Sequence, residues 1–270
     1  MSFYIYYFIR QTKLYPKERM MIKLNQIEKC YSVKKVLDKI SLSIQTDSIY
    51  CLLGKNGAGK TTLINILSDL IAPDSGEILF DKLKYSSNEL EIKRNLGVLS
   101  EANLLIEELS GYEYLTFLGK LFNLSKDSLT ERINSLANYF FDDSNDIYKT
   151  ISKYSAGMKK KLMFCAAVLH TPDILLLDEP FSGLDPVAAN LLVEFLNKYR
   201  NDKRIIFLSS HNLNYIELVA THIGILDEGK IIFNDTFNSF VENGRKKINE
   251  SLLSKLEKTP SKINEVEWAF

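Results

Sequence analysis

The residues best suited to chemistry stand at positions 54–61, where three glycines alternate with other residues ahead of a lysine and a threonine. This stretch matches the pattern G-x-x-x-x-G-K-[ST], in which a tightly folded backbone points its N–H groups at phosphate oxygens. Lys60 is expected to reach the β- and γ-phosphates of ATP, and the Thr61 hydroxyl to bind Mg²⁺. The alternative is a glycine-rich turn with a chance lysine, which the flanking strand and helix patterns disfavour. The predicted nucleotide-binding residues are Gly54, Lys55, Asn56, Gly57, Ala58, Gly59, Lys60, Thr61 and Thr62.

A second candidate site lies downstream, where the apolar run at residues 174–177 ends in two carboxylates. Asp178 is placed to hold Mg²⁺ through water. Glu179 is placed to polarise an attacking water, either as a general base or as an orienting group. Two adjacent carboxylates at a strand end are weak evidence alone, but after a phosphate-binding loop they are strong evidence for these two roles.

These residues need a scaffold that brings the ends of several strands together. Apolar and polar residues alternate at residues 22–24 and 40–44, as in half-buried strands. Short apolar runs separated by helical patterns predict buried parallel strands at residues 49–53, 174–177, 205–208 and 223–226. The predicted fold class is α/β: a P-loop NTPase core with a mostly parallel sheet, an antiparallel β subdomain and an inserted helical subdomain at about residues 103–170. Ligands of such sheets bind at the carboxyl ends of the strands.

Four further segments resemble motifs of the ATP-binding cassette (ABC) family. Residues 154–161 read Tyr-Ser-Ala-Gly-Met-Lys-Lys-Lys and are similar to the family's signature, Leu-Ser-Gly-Gly-Gln. Residues 182–185 read Ser-Gly-Leu-Asp and look like its D-loop, and His211 looks like its switch histidine. Tyr31 stands where the family stacks an aromatic ring on adenine, although a core aromatic at a strand end is the alternative. These motifs occur in the family's order and cover residues 22 to about 235.

The resemblance implies a composite site shared by two cassettes. Ser155 is a good N-cap, and the free N–H groups of the helix that it begins would face the γ-phosphate of ATP on a second subunit. Taken alone, an ordinary helix cap is the favoured interpretation of residues 155–158. The roles carried over are catalysis for Glu179 and His211, the signature in trans for Ser155, Ala156, Gly157 and Met158, the D-loop for Asp185, and metal binding for Thr61, Asp178 and Glu101.

The sequence departs from the family pattern at three of these positions. Glu101 stands where the family has the glutamine of its Q-loop, and a carboxylate cannot donate a hydrogen bond as an amide does. Met158 replaces the signature glutamine and Ala156 its first glycine. The form Tyr-Ser-x-Gly-Met is similar to cassettes of bacterial drug and peptide (ABC-2 type) exporters.

The function that the resemblance implies is that of the ATPase subunit of an exporter. Its expected partners are a second cassette, forming a homodimer, and a separately encoded transmembrane permease, and its expected location is the cytoplasmic face of the cell membrane. A soluble cassette that drives cluster assembly is the alternative, and an inactive regulatory cassette is disfavoured because Lys60, Asp178, Glu179 and His211 are all present.

Composition excludes some other classes of protein. Lys plus Arg equals Asp plus Glu, 34 against 34, so no basic surface for nucleic acid is indicated. Cys30, Cys51 and Cys165 lack metal-ligand spacing and are expected to be reduced thiols of the core. No apolar run approaches the roughly 18–20 residues that cross a bilayer.

The two ends of the chain are expected to lie outside the ATPase domain. Residues 1–21 are interpreted as a non-native or disordered leader, with translation starting at Met20 or Met21. Residues 22–235 form the predicted ATPase domain, and residues 236–270 a C-terminal helical tail.

Overall fold

The computed structural model describes residues 21–100 and 105–256. Residues 1–20 of the predicted leader, Glu101, and residues 257–270 of the predicted tail lie outside the described residues. Met21, the last residue of that leader, is the first residue of strand β1.

Five parallel strands and one antiparallel strand form the main sheet, in the order β5-β6-β7-β3-β8-β9. Its strands are β3 (Ser48–Leu53), β5 (Leu96–Leu99), β6 (Ile174–Asp178), β7 (Ile205–Ser209), β8 (His222–Asp227) and β9 (Lys230–Thr236). Strands β3, β6 and β7 are buried at every position, as expected of parallel strands covered on both faces. Because β6, β7 and β3 are neighbours, their carboxyl ends meet at one edge of the sheet.

A second, antiparallel sheet has the order β2-β1-β4. It consists of β1 (Met21–Tyr31), β2 (Lys34–Gln45) and β4 (Ser75–Phe80). The apolar residues that alternate along β1 and β2 face a shared core with helix α1 (Lys60–Leu67) and one face of the main sheet. The sheet thereby packs directly against the helix that follows the phosphate-binding loop.

The region between β5 and β6 is helical, as predicted. It contains α3 (Gly111–Leu121), α4 (Lys126–Phe140) and α5 (Ala156–Val168), with short 3₁₀ turns at Ser144–Tyr148 and Ile151–Lys153. A Ser110–Glu113 capping box fixes the start of α3. The remaining helices are α2 (Tyr85–Arg94), α6 (Pro186–Tyr199), α7 (Leu213–Val219), α8 (Phe237–Phe240) and α9 (Ile248–Leu256). None of the helices described in residues 21–256 is long and apolar enough to span a membrane.

The mostly parallel sheet, the antiparallel sheet and the helical insertion were all predicted, but two details were not. Helix α2 escaped notice because its sequence is polar and only Ile92 is buried. Cys51 and Cys165 are buried as expected, whereas Cys30 is exposed, so its assignment to the core was wrong.

His170 is a packing residue between the helical region and the main sheet, and not a surface residue or helix cap. Its ring stacks on Phe122 with 3.7 Å between the ring centroids. Its Nε2 lies 2.9 Å from the carbonyl oxygen of Leu96 in β5, so Nε2 must carry the proton. Burial lowers the pKa of His170 to about 4, and the imidazole is neutral in the folded protein at pH 7.

We predict that the free energy of unfolding falls as the pH drops from about 6.5 to 4. In that window the unfolded chain takes up about one proton at His170 that the folded chain excludes, whereas above the unfolded pKa the contribution is fully present. Chemical denaturation at a series of pH values would measure the slope. His170→Gln should flatten it, and the slope that remains should come from His222, whose pKa is also lowered by burial, and near pH 4 from carboxyl groups such as Glu113, whose pKa is lowered by its hydrogen bonds to Ser110. An unchanged slope in His170→Gln would contradict the assignment.

Candidate functional site

The loop between β3 and α1 has the backbone of a phosphate cradle. Gly57 and Gly59 have φ of 77° and 108°, conformations that other residues rarely adopt. A Cβ atom on Gly54 would lie 2.4 Å from the carbonyl oxygen of Leu226, and one on Gly59 would lie 2.9 Å from that of Val36. The glycines are therefore required both by the turn and by the close approach of neighbouring strands.

Lys60 begins helix α1, and only 7% of its surface is exposed. Its Nζ donates hydrogen bonds to the carbonyl oxygens of Gly54 at 2.9 Å and Lys55 at 3.2 Å. The ammonium group is thus held over the loop beside the positive end of the α1 dipole. This arrangement concentrates positive potential where phosphate oxygens would bind.

A cavity of about 520 Å³ opens above this loop and joins distant segments of the chain. Glu179 and His211 line it together with the loop and Tyr31. The described lining residues are Tyr31, Val36, Asn56, Gly57, Gly59, Lys60, Thr61, Thr62, Lys160, Glu179, Ser182 and His211.

Tyr31 lies at the far side of this cavity, at the end of β1. Its side chain is 45% exposed, and the Nζ of Lys29 lies 5.9 Å from the ring centroid. Core packing was the alternative for Tyr31, and this exposure argues against it. An aromatic face that borders the phosphate cavity is available for stacking on a base.

Asp178 ends β6 as a carboxylate that is 1% exposed. Its Oδ1 accepts a hydrogen bond from the hydroxyl of Ser209. Its Oδ2 is buried and has no hydrogen-bond partner among the described residues. A buried carboxylate oxygen left in this state fits a cation or a cation-bound water.

Glu179 turns the chain away from β6 with a left-handed φ of 46°. Its Oε1 lies 2.9 Å from Nδ1 of His211, and its Oε2 accepts from the backbone N–H of His211 at 3.3 Å. Glu179 and His211, which are 32 residues apart, therefore meet at the predicted catalytic position. The carboxylate can take a proton while the imidazole fixes its orientation.

The signature residues stand away from this cavity. The hydroxyl of Ser155 accepts from the backbone N–H of Met158 at 3.2 Å, so it caps α5 as predicted. Ser155, Ala156, Gly157 and Met158 are absent from the described lining of the cavity in their own chain. Asp185 similarly caps α6, and the N–H of Ala188 is the main cause that lowers its pKa.

The lysine run at positions 159–161 does not form a uniformly solvated helix face, which is the usual arrangement of such a run. Lys161 is buried, and Lys159 forms an ion pair with Glu107 at 2.5 Å. Lys160 lines the cavity and donates to the carbonyl oxygen of Asp178 at 3.2 Å. The helical region thus adds a second cation to the site, at a position two residues beyond the five that correspond to the signature.

The residues present fit ATP with Mg²⁺. The glycine cradle and Lys60 suit phosphates, while the buried Oδ2 of Asp178 and the Thr61 hydroxyl at the same strand edge are suitable oxygen donors for the metal. Glu101, the third metal ligand predicted, lies outside the described residues.

Comparisons with known proteins agree with this site. The family model described as ABC transporter matches residues 37–182. The chain is similar to the bacitracin transport ATP-binding protein BcrA of Bacillus licheniformis, with 33% identity over 84% of this chain and 73% of that protein. It is 30% identical to the lantibiotic transport ATP-binding protein SrtF of Streptococcus pyogenes, over 86% of this chain and 98% of that protein.

A solved structure has the same fold. It is the dimeric structure of a bacterial ABC transporter cassette, with a TM-score of 0.74 and 22% identity over 80% of this chain and 98% of that one. The α/β architecture with its helical insertion is therefore that of an ABC cassette.

We predict that Lys60→Ala weakens ATP binding by about 100-fold, the effect of losing two charge-assisted hydrogen bonds. Equilibrium titration with a fluorescent ATP analogue would measure the change. Lys198→Ala removes an exposed cation on α6 and should bind like the wild type. Equal affinities of the two variants would contradict the role of Lys60.

Proposed function

The chain belongs to the ABC transporter family, and on this basis we propose that it is the ATP-hydrolysing subunit of an exporter whose membrane subunit is a separate chain. ATP binding and hydrolysis are the activities of this family, whereas the direction of transport and the membrane partner are the proposed parts. A soluble cassette that drives cluster assembly is less well supported, because both relatives named above are transport proteins.

The observation that carries the proposal is the convergence of Lys60, Glu179 and His211 on one cavity. Lys60 would exchange its two loop carbonyls for phosphate oxygens when ATP enters. Glu179 would accept a proton from the attacking water. His211 would orient the Glu179 carboxylate before ATP binds, and the His211 imidazole would then contact the γ-phosphate. Thr61 and Asp178 would hold Mg²⁺, which offsets phosphate charge when bound.

We propose that a second copy of this chain completes the site. The residues at the start of α5 are absent from the described lining of the cavity in their own chain, and the free N–H groups of that helix end would bind ATP held by another cassette. The dimeric assembly of the related cassette supports this arrangement. Hydrolysis in a homodimer would then depend on the closure of two identical subunits.

The exposed apolar side chains of α3 are the proposed contact with the membrane subunit. Phe117 is 46% exposed and Leu121 is 63% exposed, and their spacing of four residues places them on one side of the helix. Docking there would hold the chain at the cytoplasmic face of the membrane. The contact would lie in the same helical region as the signature.

We predict that Glu179→Gln keeps ATP affinity and lowers the hydrolysis rate by about 100- to 10,000-fold, the usual contribution of a general base. Because the bound ATP is not consumed, the variant should accumulate as a dimer. Phosphate release and light scattering after size exclusion would measure the two effects.

The control for Glu179→Gln is Glu194→Gln, a carboxylate on α6 that forms an ion pair with Lys198. It should hydrolyse ATP at the wild-type rate and dimerise only transiently. Normal turnover in Glu179→Gln would remove Glu179 from the catalytic role.

We predict that Leu121→Glu lowers the fraction of the chain recovered with membranes of the native host several-fold and leaves the ATPase rate of the purified chain unchanged. The added charge would be buried against an apolar partner. Leu90→Glu is the control, because Leu90 is exposed on α2 outside the helical region. Equal membrane recovery of both variants would contradict docking at α3.

A further inference from the structure

Ser209 is a polar residue at the centre of the main sheet for which the motifs assign no role. It is the last residue of β7 and is fully buried. In the pairing of β6 with β7 it stands directly opposite Asp178. Its hydroxyl therefore lies beside the carboxylate at the end of the neighbouring strand.

The hydrogen bonds of Ser209 join the two acidic residues of the site. Its Oγ donates to Oδ1 of Asp178, and it accepts from the backbone N–H of Glu179 at 3.1 Å. The backbone N–H of Glu179 can only donate, so the hydroxyl accepts that bond and gives its own proton to Oδ1 of Asp178. The same hydroxyl group thus donates its proton to the carboxylate of Asp178 and accepts a hydrogen bond from the backbone N–H of Glu179.

The first bond fixes the orientation of the Asp178 carboxylate. With Oδ1 held by Ser209, rotation about the Cβ–Cγ bond is restricted, and Oδ2 remains as the buried oxygen with no partner in the described part of the chain. That oxygen is the one able to hold a cation or its water. Without the hydroxyl, the carboxylate could turn either oxygen or neither toward the cation.

The second bond supports the strained backbone of Glu179. A φ of 46° is unfavourable for a residue with a side chain, and it persists only where surrounding contacts hold it. The bond from the Glu179 N–H to Ser209 is such a contact, and the carboxylate is held at its other end by His211. The direction in which the Glu179 side chain points therefore depends on Ser209.

We propose that Ser209 is a positioning residue that sets the metal-binding geometry of Asp178 and the catalytic geometry of Glu179 together. This inference rests on the proposed ATPase site and assigns to it a residue from a third strand. Loss of the hydroxyl impairs both functions, whereas a residue that only fills space in the core affects stability alone.

The adjacent residue provides a matched control. Ser210 is also fully buried, but its Oγ accepts from the backbone N–H of Asn212 at 3.0 Å. Ser210→Ala removes the same atom at the same depth, and it leaves the bonds of Asp178 and Glu179 in place.

The experiment measures ATP affinity in Mg²⁺ and in EDTA for the full chain, with no hydrolysis required. The ratio of the two dissociation constants reports the gain in affinity that Mg²⁺ brings. Ser209→Ala should reduce this gain by about tenfold, roughly the effect of one hydrogen bond to a charged group. Ser210→Ala should keep the wild-type gain. Ser209→Thr, which retains the hydroxyl, should recover most of it.

A double-mutant cycle tests the route through Asp178. In an Asp178→Asn background the Mg²⁺ gain should be low already, and Ser209→Ala should lower it no further. Ser209→Cys keeps the volume of the site with a weaker donor, so it replaces Ser209→Ala if that variant does not fold.

Wild-type Mg²⁺ gain in a folded Ser209→Ala or Ser209→Cys variant, or equal losses in the Ser209 and Ser210 variants, would overturn the inference. The absence of any Mg²⁺ gain in the wild-type chain would instead count against the proposed ATPase site.

Discussion

The burial of the Asp178 carboxylate is the constraint on which the site depends. Removing a charge from water costs several kcal/mol unless partners replace the lost hydration. Here one oxygen has a hydroxyl partner in Ser209, and the other is left for a cation. The pairing of β6 with β7 supplies the first partner, because it places Ser209 directly opposite Asp178 at the carboxyl end of the sheet.

Backbone carbonyls accept hydrogen bonds from both lysines that line the cavity. Lys60 donates to Gly54 and Lys55, and Lys160 donates to the carbonyl of Asp178. A carbonyl oxygen satisfies an ammonium group without neutralising its charge, so the positive potential of Lys60 is preserved for phosphates. A carboxylate partner would compete with the nucleotide for the ammonium group, and the carboxylate of Glu179, which lines the same cavity, is paired with His211.

Sequence patterns were sufficient where function depends on local order along the chain. The glycines of the phosphate loop, the cap at Ser155 and the buried strand before Asp178 are each readable from a few consecutive residues, and the structure has them as predicted. Features that depend on pairing between strands were not readable. Nothing near Ser209 in the sequence indicates that it stands opposite Asp178. The sequence around Lys160 is that of a solvated lysine, and only the contact between α5 and the end of β6 shows that Lys160 donates to Asp178.

The conformation of Glu179 shows why these missed residues matter. A left-handed φ directly after a buried strand is not favoured by glutamate itself, so the neighbouring strand and loop must impose it. Ser209 supplies the hydrogen bond at the backbone, and His211 supplies the contact at the carboxylate. Ser209 is the last residue of β7, and His211 lies two residues after it. A displacement of residues 209–211 would therefore change the position of the Glu179 side chain and the orientation of the Asp178 carboxylate together.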